Sequence, residues 1–405
     1  MRSPNFFLWF LFLLGVGCLP LLLHLEYLNN TFRQLRTVPT DSTPDSAARS
    51  PQTQTQTQTP TDDAALETEE GGELVTEQED EADDPTASHI SSLIASLMTS
   101  NTTPLVTERL KNTSAGNSTP TGWEEGLQQL VLKQELRHQV LANICSKYQL
   151  GSWDQVVSKT HMSMIHVEDQ SRLLYCEVPK VGCSNWKRVL MVLAGRATSV
   201  LNIPHVTAHF KNKLRKLEEY GPKGINQRLN TYTKVLFVRD PFERLVSAYR
   251  DKFENKNDYY HSLFGRPIIS RYRANPSQEA LRTGDGVTFR EFVHYLLDPQ
   301  RPVGNDIHWA KMSTLCPPCV IQYDFIGKFE NMNSEANFLL RSIGAPQNLS
   351  YPDYKDRNPE DERTHSSIMK KYFSQLNATE RQGVYDFYRI DYEMFDFPKP
   401  LQDLH

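Results

Sequence analysis

Several features that mark other classes of protein are missing from this chain of 405 residues. No G-x-x-x-x-G-K-[ST] run is present, which excludes a Walker A nucleotide loop. No group of His, Cys and Asp residues has the spacing of metal ligands, so we expect a site that needs no metal. No internal repeat is visible, which excludes a repeat architecture. Long hydrophobic runs are nearly absent too, since only one occurs, close to the amino terminus.

That hydrophobic run covers residues 6–23, FFLWFLFLLGVGCLPLLL, and contains no charge. Its length is at the low end for a membrane span, yet it exceeds the apolar region of a usual signal peptide, and no clear small-x-small cleavage site follows it. The sequence therefore predicts a retained transmembrane signal anchor at 6–23, with residues 1–5 as a cytoplasmic tail. A cleaved signal peptide is the alternative.

Flanking charge does not decide the orientation of this anchor. Arg2 precedes the run, and Arg33 and Arg36 follow it closely. N-x-S/T sequons at Asn348 and Asn377 lie among folded-looking segments, and they favour the secretory lumen for everything after the anchor. We therefore expect a single-pass type II membrane protein.

Residues 24–125 are predicted to form a disordered lumenal stem. They include a Gln-Thr repeat at 52–59 and few apolar residues, so they cannot bury enough surface to offset chain entropy. Residues 62–84 carry twelve acidic and no basic residues, which indicates a solvated spacer or, alternatively, a docking tail. Without those twelve charges the formal net charge of −5 becomes +7. The folded part is therefore basic, which suits an anionic partner, although a general solvated surface is the simpler explanation.

Residues 126–405 are predicted to form one α/β domain with a central parallel sheet, because strand-like and helix-like segments alternate there. A helix rich in leucine and valine opens the domain and leads into Cys145. The predicted strands are 173–178, 234–238 and one near 320–326, and the predicted helices are 185–193, 242–253, 289–297, 330–343, 366–373 and 378–388.

The first candidate anion-binding loop lies between a strand and a helix. This arrangement points backbone N–H groups and the positive end of the helix dipole at an anion. Gly182 allows close approach of the backbone, and Lys180 supplies a mobile cation. An ordinary capped turn is the alternative. The candidate binding residues are Pro179, Lys180, Val181, Gly182, Cys183, Ser184 and Asn185.

The second candidate loop repeats this architecture with different chemistry. Arg239 stands at the end of a predicted buried strand, where an unpaired charge is costly, and a guanidinium can hold a phosphate through two hydrogen bonds. Ser247 falls about two turns into the next helix, within reach of the strand end. The alternative is a structural ion pair between Arg239 and Asp240 or Glu243. The candidate residues are Arg239, Asp240, Pro241, Phe242, Glu243, Arg244, Leu245, Val246 and Ser247.

The sequences of these loops resemble the 5′-phosphosulfate-binding and 3′-phosphate-binding motifs of sulfotransferases that use 3′-phosphoadenylyl sulfate (PAPS). The matching segments are CEVPKVGCSNWKRVLMVLAG and FVRDPFERLVSAYRDKF. The chain is similar to the Golgi carbohydrate sulfotransferases, most of all to the N-acetylgalactosamine (GalNAc) 4-O-sulfotransferases. The segment RPVGNDIHW at 301–309 resembles the branch that acts on terminal GalNAc of glycoprotein glycans. The resemblance runs from about residue 140 to 398, and it also covers 316–319, 323–328 and 385–388.

The resemblance implies a single P-loop-like sulfotransferase domain in the Golgi lumen, with PAPS as sulfonyl donor, no metal, and the 4-hydroxyl of GalNAc as acceptor. Negative charge then develops on the bridging oxygen and needs stabilisation there, which we assign to Lys180. Ser184 and Asn185 would help to hold the 5′-phosphate. Arg239 and Ser247 would hold the 3′-phosphate.

The attacking hydroxyl needs a base, and a histidine titrates in the right range. Related sulfotransferases place an acidic or histidine base between the two motifs, where this chain has the run IPHVTAH. We predict His209 as the base, with His205 as the second choice. His308, beside Trp309, is predicted either to hold the acceptor sugar or to pack in the core.

Five of the six cysteines follow the predicted anchor, and an odd number leaves at least one unpaired in an oxidising compartment. Cys183 is predicted to be free because a disulfide would distort the first loop. The C-P-P-C spacing at 316–319 also occurs in redox motifs, but no thioredoxin-like context surrounds it, so we predict a structural role. The pairing among the other four stays open: Cys145, Cys176, Cys316 and Cys319.

Other functions remain as alternatives. A chondroitin or dermatan 4-O-sulfotransferase uses the same chemistry on another glycan. A nucleotide-dependent kinase is disfavoured because the Walker A spacing and an evident Mg²⁺ carboxylate are missing. A glycan-binding membrane protein without catalysis is disfavoured by the presence of Lys180, Arg239 and Ser247. The favoured function has a glycan acceptor on a glycoprotein or proteoglycan as partner, and no nucleic acid.

Overall fold

The computed structural model describes residues 122–151, 157–353 and 362–400. The predicted cytoplasmic tail, the anchor at 6–23 and nearly all of the stem lie outside these residues, and they stay predictions. Within the described part, no helix combines the length and the apolar character needed to cross a membrane.

The described residues form an α/β fold built around one five-stranded sheet. The strands are β1 (Ile165–Glu168), β2 (Leu173–Cys176), β3 (Arg215–Lys216), β4 (Thr233–Val238) and β5 (Phe325–Lys328). The α-helices are α1 (Gly122–Lys147), α2 (Lys159–Ser163), α3 (Cys183–Leu193), α4 (His205–Phe210), α5 (Pro222–Thr231), α6 (Pro241–Tyr249), α7 (Asp258–Tyr260), α8 (Arg266–Tyr272), α9 (Gln278–Thr283), α10 (Phe289–Leu297), α11 (Met312–Leu315), α12 (Pro318–Ile321), α13 (Met332–Ser342), α14 (Ser366–Phe373) and α15 (Ala378–Met394).

The strand order is β3-β1-β2-β4-β5, and the sheet is mixed. β4 pairs in parallel with both β2 and β5, which confirms the predicted parallel sheet for these three strands. β1 and β3 form an antiparallel edge that the sequence analysis did not predict. A short connection joins β1 to β2 as a hairpin, and two strands joined in this way must run antiparallel.

The parallel centre of the sheet is fully buried. Every residue of β2 and β4 is buried, as expected for parallel strands covered on both faces. Trp186 of α3 packs with its ring centroid 5.3 Å from that of Tyr175 on β2 and 5.0 Å from that of Phe237 on β4. These aromatic contacts attach the start of α3, and with it the first candidate loop, to the rigid centre of the sheet.

Two predicted elements differ from the structure. Val320 and Ile321 belong to the short helix α12 rather than to a strand, and β5 begins only at Phe325. Pro318 is the first residue of α12, where its fixed φ favours helix, and an apolar run this short does not separate helix from strand by its pattern. The helix predicted at 242–253 ends as α-helix at Tyr249 and continues as a π-helical turn to Glu254.

Two disulfides connect distant parts of the chain. Cys145 of α1 pairs with Cys319 of α12, and Cys176 at the end of β2 pairs with Cys316 just after α11. Among the described cysteines only Cys183 is unpaired, as predicted. The C-P-P-C cysteines therefore join two separate disulfides, which confirms the predicted structural role.

Candidate active site

The two candidate loops meet at one edge of the sheet. They follow β2 and β4, which are parallel neighbours, so both loops leave from the same end of the sheet. Arg239 Nη1 donates a hydrogen bond of 3.2 Å to the carbonyl of Lys180. Arg244 Nε donates one of 2.9 Å to the carbonyl of Pro179. The segments predicted to hold the two ends of the nucleotide are therefore in direct contact.

The first loop is closely packed and has an unusual backbone. Lys180 and Gly182 have positive φ angles of 69° and 71°. A Cβ atom at Gly182 would overlap the hydroxyl oxygen of Tyr351, and this hydroxyl donates to the Gly182 carbonyl at 3.1 Å. Gly182 is the N-cap residue of α3 and provides no side-chain oxygen to its first turn. A helix start of this kind, reached through a glycine, suits an anion.

The side chain of Lys180 is close to other charges. Its Nζ lies 3.1 Å from Oδ2 of Asp251, which is also 3.0 Å from Nζ of Lys252. Burial lowers the pKa of Lys180, Asp251 opposes this, and the charges of Lys252 and Arg239 lower the pKa further. Burial alone would raise the pKa of Asp251, but the charges of Lys180 and Lys252 outweigh it and lower that pKa to about 2. Three cations are thus close enough to repel one another, an arrangement that an anionic ligand would relieve.

Arg239 is 4% exposed and contacts several groups at the end of β4. Besides the Lys180 carbonyl, it donates to the carbonyl of Thr364 and approaches Oε2 of Glu243 at 3.4 Å. Its guanidinium carbon lies 4.4 Å from the ring centroid of Phe329. Burial lowers the pKa of Arg239 to about 10, so the group is charged at neutral pH. The alternative ion pair with Glu243 is therefore present, and phosphate binding by Arg239 stays a prediction.

The other residues of the second loop divide into two groups. Asp240 caps α6, because its Oδ1 accepts the backbone N–H groups of Phe242 and Glu243, both at 2.9 Å. Burial raises the pKa of Asp240 to about 6. Glu243 and Ser247 are half-buried and lie four residues apart on one face of α6. The buried side chains are those of Pro241, Phe242, Arg244, Leu245 and Val246.

Arg244 connects the loops to a third segment. Besides the Pro179 carbonyl, its Nη1 donates to the carbonyl of Ala310 at 2.6 Å and its Nη2 to that of Ile307 at 2.8 Å. Only 1% of this residue is exposed. The structure thus places the Arg244 guanidinium on three backbone carbonyls, and the segment 306–310 is held against the first loop.

The histidines predicted as bases lie beside the first loop. Ser184 Oγ and His209 Nε2 are 2.6 Å apart, so α4 contacts the start of α3 through this pair. The ring of His205 is exposed, and its centroid lies 4.3 Å from that of His209. Asn185 points elsewhere, since its Nδ2 donates to the carbonyl of Pro352 and its Oδ1 accepts from Arg188, both at 2.9 Å.

A cluster that the sequence analysis largely missed lies next to Lys180. We call Lys252, Tyr260, Asp306 and His308 the Asp306 cluster. His308 Nδ1 donates to Oδ1 of Asp306 at 2.6 Å, and the Tyr260 hydroxyl lies 3.0 Å from the same nitrogen. Lys252 Nζ lies 4.6 Å from the ring centroid of Tyr260. The Asp-x-His spacing in RPVGNDIHW was the available signal, but Lys252 and Tyr260 are too distant in sequence for any local pattern to reveal them.

The two side chains of the His308-Trp309 dipeptide have different environments. Trp309 is completely buried among aromatic rings, including those of Phe264 and Phe292 at 5.0 and 5.2 Å. It has no free face on which a sugar could stack. The His308 side chain is 21% exposed. The core-packing alternative therefore describes Trp309 but not His308.

The described residues contain no group of three or more His, Cys, Asp or Glu side chains arranged to hold a metal ion. The site consists of cations, backbone N–H groups, hydroxyls and histidines. Such a set can bind phosphate and sulfate groups and can move a proton.

The sequence comparisons agree with this geometry. The profile of the "Sulfotransferase family" matches residues 163–398. "Carbohydrate sulfotransferase 8" of Mus musculus is 58% identical over 272 residues, which are 67% of this chain and 65% of that protein. "Carbohydrate sulfotransferase 9" of Homo sapiens is 55% identical over 268 residues, 66% of this chain and 60% of that protein. "Carbohydrate sulfotransferase 11" of Rattus norvegicus is 40% identical over 275 residues, 67% of this chain and 77% of that protein.

The matched region spans less than two thirds of the length of the first two of these relatives. No solved structure matches the chain significantly.

Proposed function

Because this chain belongs to the sulfotransferase family, we propose that it transfers a sulfonyl group from PAPS to a hydroxyl of a carbohydrate. The observation that carries this proposal is the meeting of Lys180 and Arg239 at one edge of the sheet, joined by the hydrogen bond from Arg239 to the Lys180 carbonyl. A nucleotide that carries phosphates at both ends needs two anion-binding loops that lie side by side. The relatives' names, which mention carbohydrate, supply the class of acceptor.

The reaction we propose is an in-line displacement at sulfur. The acceptor oxygen attacks, and the bond between sulfur and the 5′-phosphate oxygen breaks. Lys180 meets the negative charge that develops on that oxygen, since its ammonium group lies in the first loop and is held by Asp251 at 3.1 Å. Ser184 and the N–H groups at the start of α3 would hold the 5′-phosphate, whereas the Asn185 side chain is engaged by Pro352 and Arg188. Arg239 and Ser247 would hold the 3′-phosphate.

The finer identity of the acceptor follows from the sequence resemblance. We propose the 4-hydroxyl of GalNAc, at the non-reducing end of glycoprotein glycans, with chondroitin or dermatan as the alternative acceptors. We also propose that the catalytic domain lies in the Golgi lumen behind a type II anchor. Asn348 and Asn377 are exposed, as acceptors of N-glycans in a lumenal domain must be.

The decisive experiment incubates the purified full-length chain with sulfate-labelled PAPS and a panel of acceptors. The panel contains glycans ending in GalNAc, the same glycans ending in N-acetylglucosamine, chondroitin and dermatan. We expect label on the 4-hydroxyl of terminal GalNAc. Label only at a 6-hydroxyl, or only on N-acetylglucosamine, would refute the proposed acceptor.

Donor binding separates the remaining alternatives. We expect the product nucleotide, adenosine 3′,5′-bisphosphate, to bind more tightly than ATP in a calorimetric titration. Phosphate transfer from labelled ATP would indicate a kinase instead. Glycan binding without any transfer from PAPS would indicate a non-catalytic protein.

A further inference from the structure

Arg244 holds the segment that contains His308 against the first loop. This arginine donates to the carbonyls of Pro179 and Ile307, so it joins the first loop to the residue preceding His308. The charge of Lys180 is near enough to lower the pKa of His308. His308 is therefore distant from the first loop in the sequence, but in the fold it lies near Lys180 and the proposed donor site.

The contacts of His308 leave one ring nitrogen available. Oδ1 of Asp306 accepts both from the Nδ1 of His308 at 2.6 Å and from its backbone N–H at 2.9 Å. Tyr260 donates its hydroxyl to the same carboxylate at 3.3 Å. Because an ionised carboxylate can only accept, Nδ1 carries the proton and Nε2 keeps its lone pair. Among the described residues, none forms a hydrogen bond with Nε2 of His308.

His209 is in a different situation. Its Nε2 lies 2.6 Å from Oγ of Ser184, a residue at the start of α3 that would hold the 5′-phosphate. A nitrogen engaged in this bond holds the serine in place, and it must release the serine before it can accept a proton from a sugar.

We infer that His308, oriented by Asp306, is the catalytic base that takes the proton from the acceptor hydroxyl, and that His209 positions Ser184. The inference rests on the proposed sulfotransferase function and replaces the prediction that His209 is the base. As the bond between the acceptor oxygen and sulfur forms, the O–H bond breaks and its proton goes to Nε2 of His308. The electron pair of the broken sulfur–oxygen bond stays on the 5′-phosphate of the leaving nucleotide.

The charges around His308 determine the expected pH dependence. Burial lowers its pKa below the ordinary 6.5, the hydrogen bond to Asp306 opposes this, and the charges of Lys252 and Lys180 lower the pKa further. The neutral form of the imidazole is the active base. Turnover should therefore be full above this pKa and should fall as the pH drops through it, which gives an acid limb below 6.5.

The test compares His308→Gln with His209→Gln in the full-length chain, with kcat, the KM for PAPS and the pH profile as readouts. For His308→Gln we expect kcat to fall by about 10²–10⁴-fold, with loss of the acid limb and little change in the KM for PAPS. For His209→Gln we expect a higher KM for PAPS and a retained acid limb. Asp306→Asn should lower kcat and move the acid limb to lower pH, because the group that raises the His308 pKa is removed.

His294→Gln is the matched control. Its Nε2 also pairs with a carboxylate, that of Glu380, at 2.7 Å, but it lies on α10 and has no part in the proposed site. We expect this variant to keep wild-type kcat. Melting temperature and binding of adenosine 3′,5′-bisphosphate show whether each variant is folded.

Two results would overturn the inference. One is a folded His308→Gln variant whose kcat stays within a few-fold of wild type. The other is loss of the acid limb in His209→Gln while His308→Gln retains it. Where the residual rate is too low for a profile, His308→Ala with added imidazole decides, since a missing base is restored by imidazole and a missing structural contact is not. If the wild-type chain itself transfers no sulfate, the proposed function fails rather than the assignment of the base.

Discussion

Replacement of Arg244 with methionine removes a guanidinium of α6 that donates one hydrogen bond to the first loop and two to the segment 306–310. The substitution keeps an apolar stem of similar length in a position that is 1% exposed. It leaves three backbone carbonyls in the interior without their partner. An orphaned buried acceptor costs free energy because it has lost water and gained nothing in return.

These contacts determine the expected loss of the free energy of unfolding. Hydrogen bonds from a charged donor contribute about 1.5–3 kcal/mol each, but such contributions are not additive. Removal of the buried guanidinium also recovers part of its desolvation cost, and burial does lower the pKa of Arg244. We therefore expect the free energy of unfolding to fall by about 3–5 kcal/mol, the range seen when one partner of a buried charged network is removed.

Urea unfolding of the purified chain measures this loss, and two variants calibrate it. Arg244→Lys can place a single ammonium on one of the three carbonyls, so its loss should be intermediate. Arg290→Met is the matched control, because Arg290 also forms one close contact, 2.8 Å to Glu380, yet its side chain is 50% exposed. We expect this control to lose at most about 1 kcal/mol.

The same contacts predict a functional effect. Under conditions where Arg244→Met is still folded, the first loop is no longer fixed relative to α6, so we expect the KM for PAPS to rise at least about tenfold, equivalent to 1.4 kcal/mol. If Arg244→Met lowers the free energy of unfolding no more than Arg290→Met does, the three hydrogen bonds do not stabilise the fold as inferred. The reasoning also fails if the KM for PAPS is unchanged despite a large loss of stability.

Three further predictions follow from the site and its supports. Lys180→Ala should lower kcat by about 10²–10³-fold in the sulfate-transfer assay while the chain still folds, and wild-type turnover would remove Lys180 from the mechanism. Gly182→Ala should lower the free energy of unfolding, measured in urea, by at least about 1–2 kcal/mol, because φ is 71° there and the new methyl group meets a tyrosine hydroxyl. Gly221→Ala is the control, and it should lower this free energy far less because φ is −69° and the space around it is open. Replacing Cys176 and Cys316 together by serine should lower the free energy of unfolding by about 2–5 kcal/mol, since this disulfide closes a separation of 140 residues. An unchanged melting temperature would show that the bond adds nothing to stability.

Local sequence was sufficient to predict the two loops. Each is a strand, a turn and a helix whose residues are consecutive, so hydrophobic pattern, Gly182 and the Asp240 cap are visible without the fold. The strand predicted near 320–326 was placed too early, since residues 320 and 321 lie in a short helix that starts at Pro318 and β5 begins at Phe325. A short apolar run carries no periodicity that separates these outcomes, and the tertiary contacts decide between them.

The cysteines were likewise predictable from the sequence in part, and the fold decided the rest. An odd number of cysteines after the predicted anchor implies that one is unpaired, and the place of Cys183 within the first loop indicates which one. The partners of the other four depend on distances between residues 140 and 174 positions apart, which no spacing rule supplies.

By itself the sequence determined the chemistry available to this protein, namely two anion-binding loops, several histidines and a basic folded part. Only the tertiary structure decided which of these groups meet. It placed His209 on Ser184 and His308 on Asp306, and it joined Arg239 to the carbonyl of Lys180. The physical reason is that residue type and local pattern set what a side chain can do, whereas its partner, burial and pKa depend on segments that reach it only after the chain has folded.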